Sequence, residues 1–228
     1  MNAWLEKLNE TFIVSGGYRY IIEGFQNTII ITLGALVIGV IIGSLIAIIK
    51  YFAEESPKLK PLAALCDLYT TVIRGIPITV LLLLFYFAIL VSAAELTVAI
   101  LAFGINSGAY MAELIRSGIN AVDKGQMEAG RSLGMTRGQT MRKVIFPQAI
   151  RYILPAIGNE MIALLKETSV AGYVTIIDLT RGGNLVRNNT HDALNPLLLV
   201  ALIYLTLVVV LTSLLKLLER KLAKSDKS

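Results

Sequence analysis

The sequence predicts an all-α integral membrane protein of about five transmembrane helices, with an N-terminal interfacial helix and a cytoplasmic helix-turn-helix elbow. Three observations predict this. Hydrophobic residues make up 55% of the 228 residues and charged residues 16%, with a mean hydropathy of +0.69, whereas a soluble domain keeps roughly a quarter of its residues charged. The apolar residues lie in long blocks without an amphipathic period, and five blocks meet or approach the about 20 residues that a helix needs to cross a bilayer. Basic residues crowd some of the loops between the blocks and are sparse in the others.

In chain order, Met1 to Ile13 mixes polar and apolar residues, with Trp4, Leu5, Leu8 and Phe12 near helical spacing and no cleavage signal. It reads as a retained interfacial helix. The spans follow at 28–49, 62–92, 96–115, 149–177 and 196–218. The chain therefore divides into an interfacial segment over 1–24, a membrane domain over 25–218 containing the elbow loop at 123–147, and a tail over 219–228. Five spans put the two ends on opposite sides. Lys50, Lys58 and Lys60, then the seven basic residues between Arg116 and Arg151, then Lys216, Arg220, Lys221, Lys224 and Lys227 share one side, against Lys7, Arg19, Arg181 and Arg187 on the other. The positive-inside rule then places the N-terminus outside and the C-terminus in the cytoplasm. Within the first and third spans, Gly39 with Gly43 and Gly104 with Gly108 form small-xxx-small pairs that let backbones approach in lipid, within one chain or between two. The sequon at Asn188 recurs by chance in sequences and carries no weight.

The loop between the third and fourth spans has its own punctuation. Asp123 and Gln126 have capping-box spacing, so a helix is expected from there through Leu133, closed by Gly134 in the left-handed conformation. Thr136 and Gln139 repeat the box, and a second short helix is expected to end near Phe146-Pro147. A helix, a glycine elbow and a second helix result. The plain alternative is a solvated basic loop.

The residues of this elbow carry a resemblance. Glu128-Ala129-Gly130, three residues, Gly134, nine residues and Val144-Ile145-Phe146-Pro147 resemble the cytoplasmic loop of binding-protein-dependent ABC import permeases, Glu-Ala-Ala, three residues, Gly, nine residues, Ile, one residue, Leu-Pro. Gly130, Val144 and Phe146 depart from that pattern while keeping size or apolarity. Thr28-Ile29, Ile73-Arg74-Gly75-Ile76-Pro77, Ala109-Tyr110-Met111-Ala112-Glu113 and Leu165-Lys166-Glu167-Thr168-Ser169 look like the polar amino-acid subfamily, the histidine, arginine and glutamine permease type, over nearly the whole chain. The resemblance implies the five-helix permease fold in a bacterial or archaeal inner membrane. It implies a second permease subunit, identical or similar, two cytoplasmic ATPase subunits that bind ATP and Mg, and an extracytoplasmic solute-binding protein. It also makes the first elbow helix a coupling helix: Glu128 and Arg131 would pair with the ATPase rim, and Met127, Ala129, Gly130 and Leu133 would offer it an apolar surface, with Gly134 permitting the angle. No Gly-x-x-x-x-Gly-Lys-Ser/Thr occurs, so the nucleotide belongs to another chain and this one is not the enzyme.

Ionisable residues in hydrocarbon are functional candidates by default, here Asp67, Arg74, Glu113, Glu160, Lys166 and Glu167. Glu160 is twelve residues into the fourth span from Gln148, about 18 Å at a rise of about 1.5 Å per residue, near mid-membrane. Glu167 shares its stripe and Lys166 does not. A mid-depth carboxylate suits a cationic ligand, with Asp67 as a second acceptor, Glu113 as a further candidate, and Thr71 and Tyr110 as neutral hydrogen-bonding groups. The expected cargo is therefore a basic amino acid (arginine, lysine or histidine), with glutamine, glutamate or another polar amino acid as the alternative. The competing expectation is internal pairing, of Glu160 with Arg74 and of Glu113 with Arg116 three residues on. Arg74, Gly75, Pro77 and Glu167 read as gating or structural, since Gly75 and Pro77 can break a helix where backbone lines a cavity.

Other function classes fare poorly. Cys66 is the single cysteine and His191 the single histidine, which excludes a multi-cysteine metal centre and an internal disulfide. An ion-coupled secondary transporter would explain buried acids but not the elbow, and no internal repeat is visible. A membrane enzyme would need a convergent nucleophile and base.

Overall fold

The structure, a computed structural model, describes residues 2–224; Met1 and the tail residues 225–228, including Lys227, lie outside the described residues. All regular structure among the described residues is helical. Helix α1 (Asn2–Asn9) runs into a π turn (Glu10–Val14), and α2 (Tyr18–Glu55) follows after a left-handed Gly16. Then come α3 (Lys60–Gly75), α4 (Ile78–Leu84, prolonged by a π turn, Phe85–Ile89), α5 (Glu95–Asn120), α6 (Gly125–Ser132), α7 (Arg137–Thr140), α8 (Phe146–Glu167), α9 (Leu179–Thr190) and α10 (Asn195–Lys224).

By length and composition, Tyr18–Glu54, Glu95–Asn120 and Asn195–Leu222 can each cross a membrane, and Pro57–Gly75 with Ile78–Ile89, bent by 106°, makes a fourth crossing if the pair counts as one. The segment predicted as a span at 62–92 is thus bent, and the bend falls at Gly75 and Pro77, the residues read as able to break it. Ile76 (ψ 128°) and Pro77 (ψ 136°) are extended, because the pyrrolidine ring expels the preceding residue from helical geometry. Helix α8 has the length for a fifth crossing, 22 residues, but Arg151, Glu160, Lys166 and Glu167 lower its apolarity. The helix ends at Glu167 rather than 177, and a 3-10 stretch (Thr168–Val174) continues the chain.

Helix α5 is the central element: 67% of its most apolar stretch is buried, against 6% for α10. Glycines hold α2 against it. A Cβ on Gly39 would stand 2.7 Å from Ser107 Oγ, and a Cβ on Gly104 or Gly108 would meet the Cβ of Ile38 or Ile42 at 2.8 Å. The two small-xxx-small pairs of the sequence therefore mesh with each other inside one chain. Ile31, Ala35, Leu82, Phe103, Leu164 and Val174, from α2, α4, α5, α8 and the 3-10 stretch, close the core beside this seam.

The segment read as an outer loop contains α9. Asp178 caps it, its Oδ1 accepting from the amides of Thr180 (2.7 Å) and Arg181 (3.0 Å), and Leu179, Gly182, Gly183 and Val186 form its buried stripe against α2 and α10. At the same end, Thr11 Oγ1 donates to Asp192 (3.0 Å) and Trp4 Nε1 to Asn195 (3.3 Å), so the N-terminal helix is tied to the α9–α10 turn. No break separates residue 24 from 25, or 218 from 219; α2 and α10 run through both positions.

Candidate functional site

The elbow forms largely as its punctuation predicts. Helix α6 begins at Gly125, and Gly134 takes φ +82°. Thr136 and Gln139 make the full capping box, the Thr136 amide donating to Gln139 Oε1 (2.8 Å) and the Gln139 amide to Thr136 Oγ1 (3.2 Å). The first box does not form: Asp123 Oδ1 accepts from the amide of Gly125 (2.7 Å), and Gln126 Oε1 instead accepts from Gln148 Nε2 (3.2 Å). Gln126 is drawn away because its helix face packs on α8. Nor does the second helix end at Pro147. Residues 137–167 are one helical run through a π turn (Met141–Ile145), whose wider register accommodates the proline that an α-helix interior would reject.

Only part of the expected apolar surface of α6 faces outward. Met127 packs against the cluster of Ile115, Val122, Ile145, Ala149 and Ile153, and Gly130 is buried, a Cβ there meeting Thr140 Oγ1 at 2.8 Å. Glu128, Ala129, Arg131 and Leu133 are exposed, Leu133 at 82%. Arg131 Nη1 donates to the Met135 carbonyl (2.8 Å), bracing the turn around Gly134.

The intramembrane candidates separate into three groups. Glu160 is half-buried on α8 and accepts from Ser107 Oγ of α5 at 3.3 Å; no ion pair joins it to Arg74 among the described residues. Arg74, at the α3–α4 bend, lies over the Tyr110 ring at 5.2 Å, with Thr71 exposed one turn before it. Asp67 and Glu113 belong to a third place, where α3 and α5 face Lys50 of α2. Lys50 Nζ pairs with Asp67 (2.6 Å) and Glu113 (3.4 Å), and Glu113 also holds Arg116 (2.5 Å). These residues line an open cavity of about 490 Å3. Asp67 is paired with Lys50 rather than with any group that Glu160 contacts. Glu167 is half-buried one stripe position beyond Glu160, and Lys166 is exposed.

Sequence reasoning missed Ser107 and Lys50. Ser107 sits in the seam between Gly104 and Gly108, where it reads as one more small packing residue, and Lys50 reads as a loop cation. Chemically, a half-buried carboxylate held by one hydroxyl retains acceptor capacity for a cationic or hydrogen-bonding ligand.

The sequence profile of binding-protein-dependent transport system inner membrane components matches residues 39–224. The arginine transport system permease protein ArtQ of Bacillus subtilis is 36% identical over 211 residues, 91% of this chain and 94% of that one. The putative glutamine transport system permease protein GlnP of Rickettsia typhi is 35% identical over 207 residues, 89% and 93% of the two chains. Among solved structures, an amino acid ABC transporter crystallised with histidines superposes with a TM-score of 0.83 at 41% identity, over 90% of this chain and 94% of that one. The inward-facing MetNI methionine ABC transporter, at 20% identity and a TM-score of 0.74, over 89% of this chain and 96% of that one, shares the fold.

Proposed function

We propose, starting from the fact that the chain belongs to the family of binding-protein-dependent transport system inner membrane components, that it forms the translocation path of an ATP-driven importer of polar amino acids and prefers basic ones. A permease of this family spans the inner membrane and leaves ATP hydrolysis to a separate ATPase. On this reading, ATP and Mg sit on two partner ATPase subunits and no cofactor on this chain. A second permease subunit, the same or similar, completes the path, and a solute-binding protein delivers cargo from outside. Helices α2, the α3–α4 pair, α5, α8 and α10 are the five crossings, with the N-terminus outside.

The observation that carries the basic preference is Glu160, a half-buried carboxylate on α8 bonded to the neutral Ser107. Burying an unpaired anion in hydrocarbon is costly, and a guanidinium or ammonium cargo offsets that cost in a way that a carboxamide does not. The names of the arginine permease and of the transporter solved with histidines agree with this cargo, while the glutamine permeases support the alternative. The Arg74–Tyr110 stack closes the path beside the broken helix, with Gly75 and Pro77 as its hinge. Asp67 and Glu113 form the cytoplasmic exit, where a cationic side chain competes with Lys50.

ATP-dependent uptake of labelled arginine, histidine and glutamine is to be measured in proteoliposomes holding the permease, its ATPase and its binding protein. Glu160→Gln is expected to lower arginine uptake roughly ten- to a hundredfold, the worth of one charged hydrogen-bonded contact, with a smaller effect on glutamine. Equal uptake of all three by native and variant protein assigns Glu160 a structural role and returns selectivity to the binding protein.

A further inference from the structure

On the cytoplasmic half of the molecule, an apolar groove of about 300 Å3 opens between α2, α5 and the helical run of α7 and α8, reaching as far as Ile157, one turn before Glu160. Ile48 and Phe52 form one wall, Ile119 the floor, and Met141, Phe146 and Ile150 the other wall. None of the proposed cargo residues lines it.

The surroundings identify the occupant. Ile48 and Phe52 end a stripe on α2 that begins with Leu33, Val37, Ile41 and Leu45, each at least half exposed and spaced three or four residues apart. A stripe of that length on a crossing helix meets acyl chains or the second permease subunit, and the cations beside its end favour lipid, which makes the groove a notch in the lipid-facing wall. Its apolar lining extends, through the shared residues Ala47, Tyr51 and Ile119, into a small polar hollow of about 60 Å3 that Lys50, Glu54, Arg116 and Asn120 also line. Lys50 and Arg116 are engaged with Asp67 and Glu113, and Glu54 with Arg137 (2.5 Å). Arg142 and Lys143 are exposed on the π turn between the lining residues Met141 and Phe146. A π turn of about five residues brings Arg142 to the side of the helix that carries those two. Clustered cations at the cytoplasmic end of a crossing helix attract anionic headgroups.

We propose that this groove binds one anionic phospholipid of the cytoplasmic leaflet, an acyl chain lying between α2 and α8 and the phosphate at Arg142 and Lys143. One wall belongs to α2 and the other to the segment that leaves the elbow, so the lipid sits where elbow movement passes into the membrane. The inference rests on α2 and α8 crossing the bilayer and is independent of the cargo.

Trp4 is the single tryptophan, so a Trp4→Phe background with Phe146→Trp places one fluorophore in the groove. The permease with a tryptophan-free variant of its ATPase is reconstituted in phosphatidylcholine, and phosphatidylglycerol or phosphatidylcholine brominated on the acyl chain is titrated in. Half-maximal quenching by the brominated phosphatidylglycerol is expected at a mole fraction roughly fivefold or more lower, the factor one surface cation contributes. Arg142→Gln with Lys143→Gln is expected to erase the difference, and Ala47→Phe, which fills the groove, to lower the maximal quenching. Ile150→Trp serves as reporter if Phe146→Trp does not assemble. Equal quenching by the two lipids overturns the proposal, as does the same preference at Val37→Trp, which would make it a property of the whole lipid annulus.

Discussion

Gly130 stands where the family loop has alanine, and its neighbour explains the difference. Thr140 of α7 fills the space that a methyl group would take, and its hydroxyl also donates to the Thr136 carbonyl (3.1 Å). Gly130→Ala is expected to overpack this contact and destabilise the elbow by about 1–3 kcal/mol, while Gly130→Ala with Thr140→Ser, which removes the clashing methyl and keeps the hydroxyl, is expected to recover most of it. A double-mutant cycle on thermal unfolding measures the coupling; simple additivity would show that the two residues do not compete for the space. Asp192 is the corresponding node at the outer end. Burial raises its carboxyl, but hydrogen bonds from the Asn195 side chain and amide, Thr11 and the Leu194 amide outweigh this and hold it below the ordinary carboxylate range. With the folded value depressed, its contribution is complete above the unfolded value near about 3.9 and is lost as pH falls through the folded value. Trp4, bonded to Asn195, reports this: its emission is expected to stay constant from neutral pH down to the carboxylate range and shift below it, and Asp192→Asn is expected to weaken α1 docking by about 1–3 kcal/mol already at pH 7.

At the scale of elements, what the sequence discloses depends on how local the cause is. Gly134, the Thr136–Gln139 box and the long apolar runs of α2, α5 and α10 are fixed by neighbours in the chain, and they are legible there. Helix α9 is not, although Asp178 followed by Leu179, Gly182, Gly183 and Val186 is a cap and a helical stripe. Two of those four positions are glycines, which carry no hydropathy signal and are there because α2 and α10 pass closely. Pro147 misleads for the opposite reason, since its local rule is right and a π turn satisfies it without ending the helix. The candidate site divides along the same line: Glu160 stands out by depth alone, whereas its partner Ser107 and the diversion of Asp67 to Lys50 arise from contacts more than fifteen residues away in the chain. The elbow offers an element-scale prediction. A Cβ on Gly134 meets nothing within 4 Å, so a substitution there costs backbone strain alone, about 1–2 kcal/mol for an ordinary side chain and more for a branched one. Gly134→Asn is expected to keep most ATP-driven uptake and Gly134→Val to lose it while the complex with the ATPase still copurifies in part. Normal uptake by the valine variant would remove the elbow angle from the coupling mechanism.

For the whole molecule, the charges and the contacts separate by end. Arg137 reaches Glu54 at the foot of α2, Lys50 reaches Asp67 and Glu113, and Gln148 reaches Gln126, so the basic loops of the sequence assemble at one end. At the other end, α1, α9 and the start of α10 meet through Thr11, Asp192, Trp4 and Asn195, with Lys7, Arg181 and Arg187 on α1 and α9 and Arg19 at the start of α2 as the basic residues there. The positive-inside rule turns this asymmetry into an orientation, because lysine and arginine are retained on the cytoplasmic face during insertion. Cys66 is the single cysteine and is buried, so a Cys66→Ser background accepts one reporter thiol at a time. Asn188→Cys on α9 is expected to react with a membrane-impermeant maleimide in intact cells, or in spheroplasts where an outer membrane shields it. Leu133→Cys at the elbow tip is expected to react only after permeabilisation. The reverse pattern would invert the molecule and place α6 beyond the reach of any cytoplasmic ATPase. Labelling of both thiols in intact cells would leave an even number of crossings between elbow and α9, which would take α8 out of the bilayer and with it the mid-membrane position of Glu160.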